Sequence, residues 1–335
     1  MILVTGSTGL TGSHLLLFLT RKDMRVKAMY RNEKSIQKTK NLFKLYSAEP
    51  DKLFHLIEWV KADITDITSL PEALEGVKQV FHTAALVSFN PNDKKLLHLT
   101  NVEGTANILQ IAMDAGVEKF VHFSSIAALG GYEQPVTEQT HWNWKEPHSE
   151  YAVTKYLSEM EVWRASQEGL PVVILNPSII LGAGFWNEGM GKIIKKVDKK
   201  MWFYPPGANH FVDVWDVVKA SYELMQAPVI NEAFIVGGNF VSHKELLELI
   251  AQALKKKPPV FKMPELFAQI FWRLEWLKSK IFKAEPHLTK SLYRSLYQQN
   301  RYSSDKLIRT LSFQFIPVGA SIRNIVLQYQ KTKNL

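Results

Sequence analysis

The chain has 335 residues, 46% hydrophobic and 22% charged, an ordinary balance for a globular protein long enough to bury a core without staples. It has no cysteine, which excludes disulfides, thiolate metal sites and cysteine nucleophiles. The formal net charge of +9 comes mostly from scattered Lys and Arg, with clusters at Lys192–Lys200 and Lys255–Lys257. This reads as a solvated basic surface, with attraction of phosphate-bearing ligands as the functional alternative.

Met1–Thr5 reads as an apolar strand running into Thr5-Gly6-Ser7-Thr8-Gly9-Leu10-Thr11-Gly12 and the apolar helix Thr11–Thr20. Such a start leaves no room for a basic leader or cleavage site, and the run Leu15–Leu19 is far too short to cross a bilayer. The expectation is a cytoplasmic protein without an integral membrane segment. Gly6 allows a tight turn, Gly9 lets the backbone approach a pyrophosphate, and Gly12 lets helix and strand pack closely. The helix start then offers unpaired N–H groups and positive dipole charge to phosphates. The spacing is G-x-x-G-x-x-G rather than G-x-G-x-x-G; its place directly after the first strand makes it a dinucleotide signal. Thr8, Leu10 and Thr11 belong to the same expected cofactor-binding turn.

Val26–Tyr30 is the second strand. No acidic residue follows it to hold a ribose 2′-hydroxyl. Arg31 stands there instead, and its guanidinium fork can pair with a 2′-phosphate, which favours NADP over NAD. Ile57–Lys61 is the third strand, with Asp63 and Ile64 just beyond it. Asp63 can accept the adenine amino group or cap a turn. Gln79–Thr83 is the fourth strand, and Thr83, Ala84 and Ala85 let a cofactor lie close to the backbone. Lys119–Ser124 and Val172–Pro177 are the fifth and sixth, with helices at Asn101–Ala115 and Ser149–Glu168. Strands alternating with helices imply parallel βαβ units and a doubly wound Rossmann sheet of the α/β class. His82 and His122 fall on buried strands and read as packed core histidines.

The sharpest chemical signal is Tyr151-Ala152-Val153-Thr154-Lys155. Positions four apart share a helix face. A free tyrosine, with a pKa of about 10, is a poor acid–base catalyst at neutral pH, and a nearby ammonium lowers that pKa. Ser124 and Ser125 end the fifth strand at the carboxyl edge of the sheet, where a hydroxyl can stabilise developing oxyanion charge. Successive strand residues face opposite ways, so only one of the two reaches the site.

Beyond Pro177, Ser178, Ile179 and Ile180 the glycines Gly182, Gly184, Gly189 and Gly191 mark a loop-rich stretch, and Pro205-Pro206-Gly207 is a strong breaker. A strand-and-helix unit at Phe211–Met225 and a strand near Phe234–Gly237 follow. The remainder is mostly helical and basic. These boundaries predict interleaved domains: residues 1–181 plus 211–240 as the dinucleotide-binding unit, and 182–210 plus 241–335 as a smaller, mostly helical substrate lobe. Asp213 and Asp216 read as caps. His141, Trp142 and Trp144 read equally as a cleft rim or a surface loop. Phe267–Phe282, rich in Phe, Trp, Leu and Ile with basic residues between, reads as core of the C-terminal lobe, with an interfacial membrane helix as the rival. Nothing reads as a metal site or a nucleic-acid module.

Thr5-Gly6-x-x-Gly9-x-x-Gly12, Asp63, His82-Thr83-Ala84-Ala85, Asn101-Val102-x-Gly104-Thr105-x-Asn107, Ser124-Ser125, Tyr151-x-x-x-Lys155 and Phe211-Val212-Asp213-Val214 together resemble the extended short-chain dehydrogenase/reductase family, also called the NAD-dependent epimerase/dehydratase family. The resemblance covers roughly residues 1–240. It implies a Ser125-Tyr151-Lys155 triad, with nicotinamide lying against the segment after Asn176-Pro177. Asn176-Pro177-Ser178-Ile179-Ile180-Leu181-Gly182 looks like the dihydroflavonol reductase and cinnamoyl-CoA reductase branch. A homodimer through the helices of Asn101 and Tyr151 is usual for the family.

The resulting expectation is an NADP-dependent oxidoreductase that reduces a carbonyl to an alcohol. Tyr151 is the proton donor, Lys155 lowers its pKa and holds the ribose, and Ser125 polarises the carbonyl. A nucleotide-sugar epimerase or dehydratase with tightly held NAD is the alternative enzyme. A non-catalytic NADP sensor is the alternative of another class.

Overall fold

The computed structural model describes residues 1–130, 135–282 and 289–333, with side chains left out at 276–282 and 291. Its strands are β1 (Ile2–Thr5), β2 (Val26–Tyr30), β3 (Ile57–Lys61), β4 (Gln79–His82), β5 (Lys119–Phe123), β6 (Val172–Pro177), β7 (Ile179–Leu181), β8 (Phe203–Tyr204), β9 (Ala208–Asp213), β10 (Glu232–Val236), β11 (Asn239–Ser242) and β12 (Phe261–Lys262). The helices are α1 (Leu10–Thr20), α2 (Glu33–Tyr46), α3 (Pro50–Phe54), α4 (Leu70–Leu74), α5 (Lys94–His98), α6 (Gly104–Asp114), α7 (Glu150–Gln167), α8 (Gly189–Asp198), α9 (Val214–Gln226), α10 (His243–Ala253), α11 (Glu265–Phe282), α12 (Lys290–Tyr297), α13 (Asp305–Leu311) and α14 (Val318–Lys333).

A seven-stranded sheet runs in the order β10-β6-β5-β4-β1-β2-β3, and its neighbours pair parallel. The fold is the expected α/β doubly wound Rossmann type. The central strands β5 and β6 are buried along their whole length, as apolar runs covered on both faces must be. One face packs on α1 and α9 through Leu15, Leu16, Leu19, Val217, Val218 and Leu224. The other packs on α6 and α7 through Ile108, Leu109, Ala112, Val162 and Ala165. Edge strand β10 is not left open to further pairing. Lys306 donates to Ala233 O at 2.8 Å, and Glu138 accepts from Ile235 N at 2.8 Å.

The strand around Phe211 lies outside this sheet. β9 pairs with β7 and β11 in a separate three-stranded sheet. A second core joins that sheet to α8, α10 and α14 through Phe211, Val241, Ile194, Leu247, Ile250 and Ile325. Leu307 and Phe313 pack within the cluster on the main sheet, so the chain crosses back to it near the C-terminus. Asp213 caps α9, accepting from Trp215 N at 2.8 Å, and Asp216 accepts from Ile316 N at 2.8 Å.

The core reading of Phe267–Phe282 is overturned over its described first half. Phe267, Phe271 and Leu274 are exposed, together with Leu266 and Ile270. Buried Ala268 and Glu275 fall on the opposite side of α11, and α12 holds its start through Tyr293, whose hydroxyl donates to Glu265 at 2.7 Å. Trp276, Leu277 and Ile281 lie outside the described side chains.

Candidate active site

The sheet order reverses between β1 and β4, and the crevice outside the carboxyl ends of those strands is where such sheets bind ligands. The glycine turn lies there. An added Cβ would sit 2.6 Å from Ala84 N at Gly6 and 2.3 Å from Gly6 O at Gly12. Gly6 also takes φ +62°, a left-handed conformation that favours glycine. Gly9 is the N-cap of α1 and is exposed, and no side chain caps the helix. The first N–H groups of α1 therefore have no side-chain cap at a turn where the glycines let the backbone be approached closely, which suits a pyrophosphate. Thr8, Leu10 and Thr11 flank it, each half-buried. Ser7, which the sequence reading passed over, is buried and donates to Met29 O at 2.5 Å, tying the turn to β2.

Around this turn the other expected cofactor residues are spread along the strand ends. Arg31 and Asp63 stand together at the ends of β2 and β3, with Nη1 and Oδ2 3.8 Å apart. The Arg31 side chain is 65% exposed, so this pair is worth little and leaves the guanidinium accessible. Asp63 also closes a turn, accepting from Thr65 N and Oγ1 at 3.0 and 2.9 Å. The Ile64 side chain turns into the core against Gly104, where an added Cβ would lie 2.8 Å from it. Thr83 donates to Thr5 O at 2.7 Å, and Ala84 N donates to Thr5 Oγ1 at 3.3 Å. Ala85 follows, exposed. Pro177 is buried at the end of β6, and the Ser178 hydroxyl points away to Gly237 O at 2.7 Å. Ile179 is exposed and Ile180 half-buried at the start of β7.

Helix α7 opens on Ser149, whose hydroxyl accepts from Ala152 N at 3.1 Å. Tyr151 and Lys155 follow one turn apart. The Ser125 hydroxyl faces the Tyr151 phenol, and the Phe89 ring meets the tyrosine edge-on at 5.9 Å. Ser124 faces the carboxylate of Glu159 instead. Of the two serines, the structure brings Ser125 to the tyrosine.

The electrostatics differ from the sequence expectation. Burial raises the Tyr151 pKa, and the opposing influence is Ser125 rather than Lys155. Lys155 is 2% exposed, donates to Phe123 O at 3.0 Å, and has its pKa lowered to about 8 by burial, with the Glu159 charge opposing. Glu159 is one further turn along α7. Burial pushes its pKa up to about 7, against the neighbouring Ser124 hydroxyl, the hydrogen bond from Asn176 and the charge of Lys155. Asn176 Nδ2 donates to Glu159 Oε1 at 2.5 Å and to Ser125 O at 3.1 Å. His82 and His122 stack beneath at 5.4 Å. Burial drives His82 down to about 3 and His122 well below the usual range, so both are neutral core groups as expected.

Glu159 was not singled out from the sequence, and Asn101 was named there only as part of a motif, without a role. Glu159 continues the spacing of Tyr151 and Lys155 by four, a signal that was available. Asn101 lies in a π-helical turn, Leu99–Glu103, that precedes α6. Its amide accepts from Leu86 N at 2.7 Å and donates to Thr154 Oγ1 at 3.1 Å, pinning the loop after β4 to α7. Trp142 is stacked on His148 at 3.8 Å and on Tyr156 at 4.5 Å, which holds its loop against α7.

Residues 2–237 match the model of the NAD dependent epimerase/dehydratase family. The chain belongs to that family. It is 31% identical over 271 residues to sterol demethylase protein B of Methylococcus capsulatus, covering 80% of this chain and 78% of the relative. It is 27% identical over 341 residues to a putative dihydroflavonol 4-reductase of Synechocystis, covering 98% and 94%. The crystal structure of gox2253 superposes with a TM-score of 0.81 at 27% identity, covering 100% of this chain and 99% of that one. Relatives named dihydroflavonol 4-reductase and cinnamoyl-CoA reductase agree with the branch suggested by Asn176-Pro177. As a member of a family of such enzymes, the chain is an NAD(P)-dependent oxidoreductase. No helix among the described residues is long and apolar enough to cross a membrane.

Proposed function

We propose that this protein reduces a carbonyl to an alcohol with NADPH. The observation that carries the proposal is the Ser125 hydroxyl facing the buried Tyr151 phenol, one helical turn from Lys155, at the sheet edge that holds the glycine cradle. When bound, the dinucleotide supplies the hydride. Tyr151 donates its phenolic proton to the carbonyl oxygen and takes it back in the alcohol direction. Ser125 donates to the same oxygen as charge develops on it. Lys155 holds the ribose hydroxyls and stabilises the phenolate as it forms. Gly6, Thr8, Gly9, Leu10, Thr11 and Gly12 cradle the pyrophosphate. Asp63, Thr83, Ala84, Ala85 and the backbone of Ile64 line the adenosine half, and Pro177, Ile179, Ile180 and the backbone of Ser178 back the nicotinamide. The substrate lobe is residues 182–210 plus 241–335, less the stretch around Leu307 and Phe313 that packs on the sheet.

Exposed Arg31, with no carboxylate directly after β2, supports NADP over NAD. The test is calorimetry with NADPH and NADH, followed by a carbonyl panel. Arg31→Ala is expected to weaken NADPH by about tenfold to a hundredfold, the worth of a charge-assisted phosphate contact, and to leave NADH unchanged. A preference for NADH that ignores Arg31 would overturn the cofactor assignment. No turnover on any carbonyl would overturn the reductase.

Glu159 sets the protonation of Lys155 in this reading. Its charge raises the lysine pKa against burial. Glu159→Gln removes that charge, so Lys155 loses its proton at lower pH. The alkaline limb of the kcat/KM profile is expected to move toward neutrality, with NADPH affinity at pH 6 retained. An unmoved limb would exclude this role.

A further inference from the structure

Helix α11 carries an apolar stripe that faces away from the rest of the chain. At 100° per residue Leu266, Phe267, Ile270, Phe271 and Leu274 share one side. Their exposure runs from 40% at Phe271 to 70% at Leu266, whereas Ala268 and Glu275, on the other side, are 1% and 8% exposed. This inverts the usual amphipathic arrangement. Four more exposed apolar residues precede the helix: Trp202, Phe203, Val260 and Phe261. Strands β8 and β12 hold them together. Trp202 O accepts from Val260 N and Phe261 N at 3.2 and 3.0 Å, and the Phe203 and Phe261 rings lie 5.9 Å apart. Monomeric proteins rarely expose so many large apolar groups in one region without a partner for them.

The two segments that carry these last four residues have charge of one sign. Residues 199–204 and 255–264 contain six lysines and no carboxylate. Lys200 Nζ stands 4.0 Å over the Trp202 ring, and Lys255, Lys257 and Lys262 are exposed. The two carboxylates that adjoin these segments are both engaged: Asp198 with Lys333 and Lys256, and Glu265 with the Tyr293 hydroxyl.

We propose that this face docks on an anionic lipid bilayer, with α11 in the plane of the interface, its stripe in the acyl boundary and the lysines on the headgroup phosphates. Apolar side chains gain by leaving water, and lysines gain from the negative surface potential of the leaflet. A second copy of the chain fits less well. A two-fold contact would bring the lysine segments of both copies to the same interface, where like charges repel.

The test is co-sedimentation of the full chain with vesicles of phosphatidylcholine alone and of phosphatidylcholine with phosphatidylglycerol. The chain is expected to bind the anionic vesicles at least about tenfold more tightly than the neutral ones. Phe267→Asp/Ile270→Asp/Leu274→Asp is expected to lose about tenfold or more in binding while keeping the wild-type unfolding temperature, because the three sites are exposed. A second variant, Lys255→Glu/Lys257→Glu/Lys262→Glu, is expected to weaken anionic binding alone, and it serves should the first fail to fold. Failure of the wild type to bind either vesicle would overturn the proposal, as would wild-type binding by both variants. So would a dimer, seen by light scattering, that the apolar variant abolishes without any vesicle binding.

Discussion

Tyr151→Phe is expected to lower kcat for carbonyl reduction by about 10²–10⁴-fold, the usual worth of a positioned general acid. The substitution removes one oxygen and keeps the ring. The edge-on contact with Phe89 at 5.9 Å survives, so neither the unfolding temperature nor NADPH affinity should move appreciably. Single-turnover kinetics with saturating NADPH isolates the chemical step. Burial raises the Tyr151 pKa, so the phenol keeps its proton through neutral pH and is ready to act as the acid. The reduction rate is therefore expected to be flat around neutrality and to fall at alkaline pH, while alcohol oxidation, which needs the phenolate, rises there. Undiminished turnover in the variant would remove Tyr151 from the mechanism.

Gly12→Ala is expected to abolish dinucleotide binding. Its Cβ would stand 2.3 Å from Gly6 O and 2.9 Å from Ser7 Cα, both backbone atoms of the turn that forms the cradle. No rotamer relieves such a contact, so α1 must shift away from β1, at a cost of about 1–3 kcal/mol in stability. The shift moves the free N–H groups of α1 away from the phosphates, and an affinity loss of about a hundredfold or more is expected by calorimetry. Gly9→Ala is the milder comparison, because its Cβ meets Gly6 O at 3.3 Å. A folded Gly12→Ala protein that binds NADPH as tightly as the wild type would show that the cradle is not the phosphate site.

Local pattern was enough for much of the fold. β2, β3 and β6 begin and end where the sequence places them, and Ser149 caps α7 as its position suggests. Strand period, helix caps and glycine turns act over a few residues, so they can be read without knowing what lies across the chain. The glycine turn and the Tyr151–Lys155 spacing are legible for the same reason.

Burial depends on contacts between residues far apart in sequence, and only the tertiary structure decided it. Lys155 bonds to Phe123 O, 32 positions away, and its partnership with Glu159 rather than Tyr151 follows from the pocket that Asn176 and Ser124 close around it. The stripe of α11 has a helical period that the sequence shows plainly. A period says which residues share a face. It does not say whether that face meets a core or water, and here the packing of neighbouring elements turned it outward.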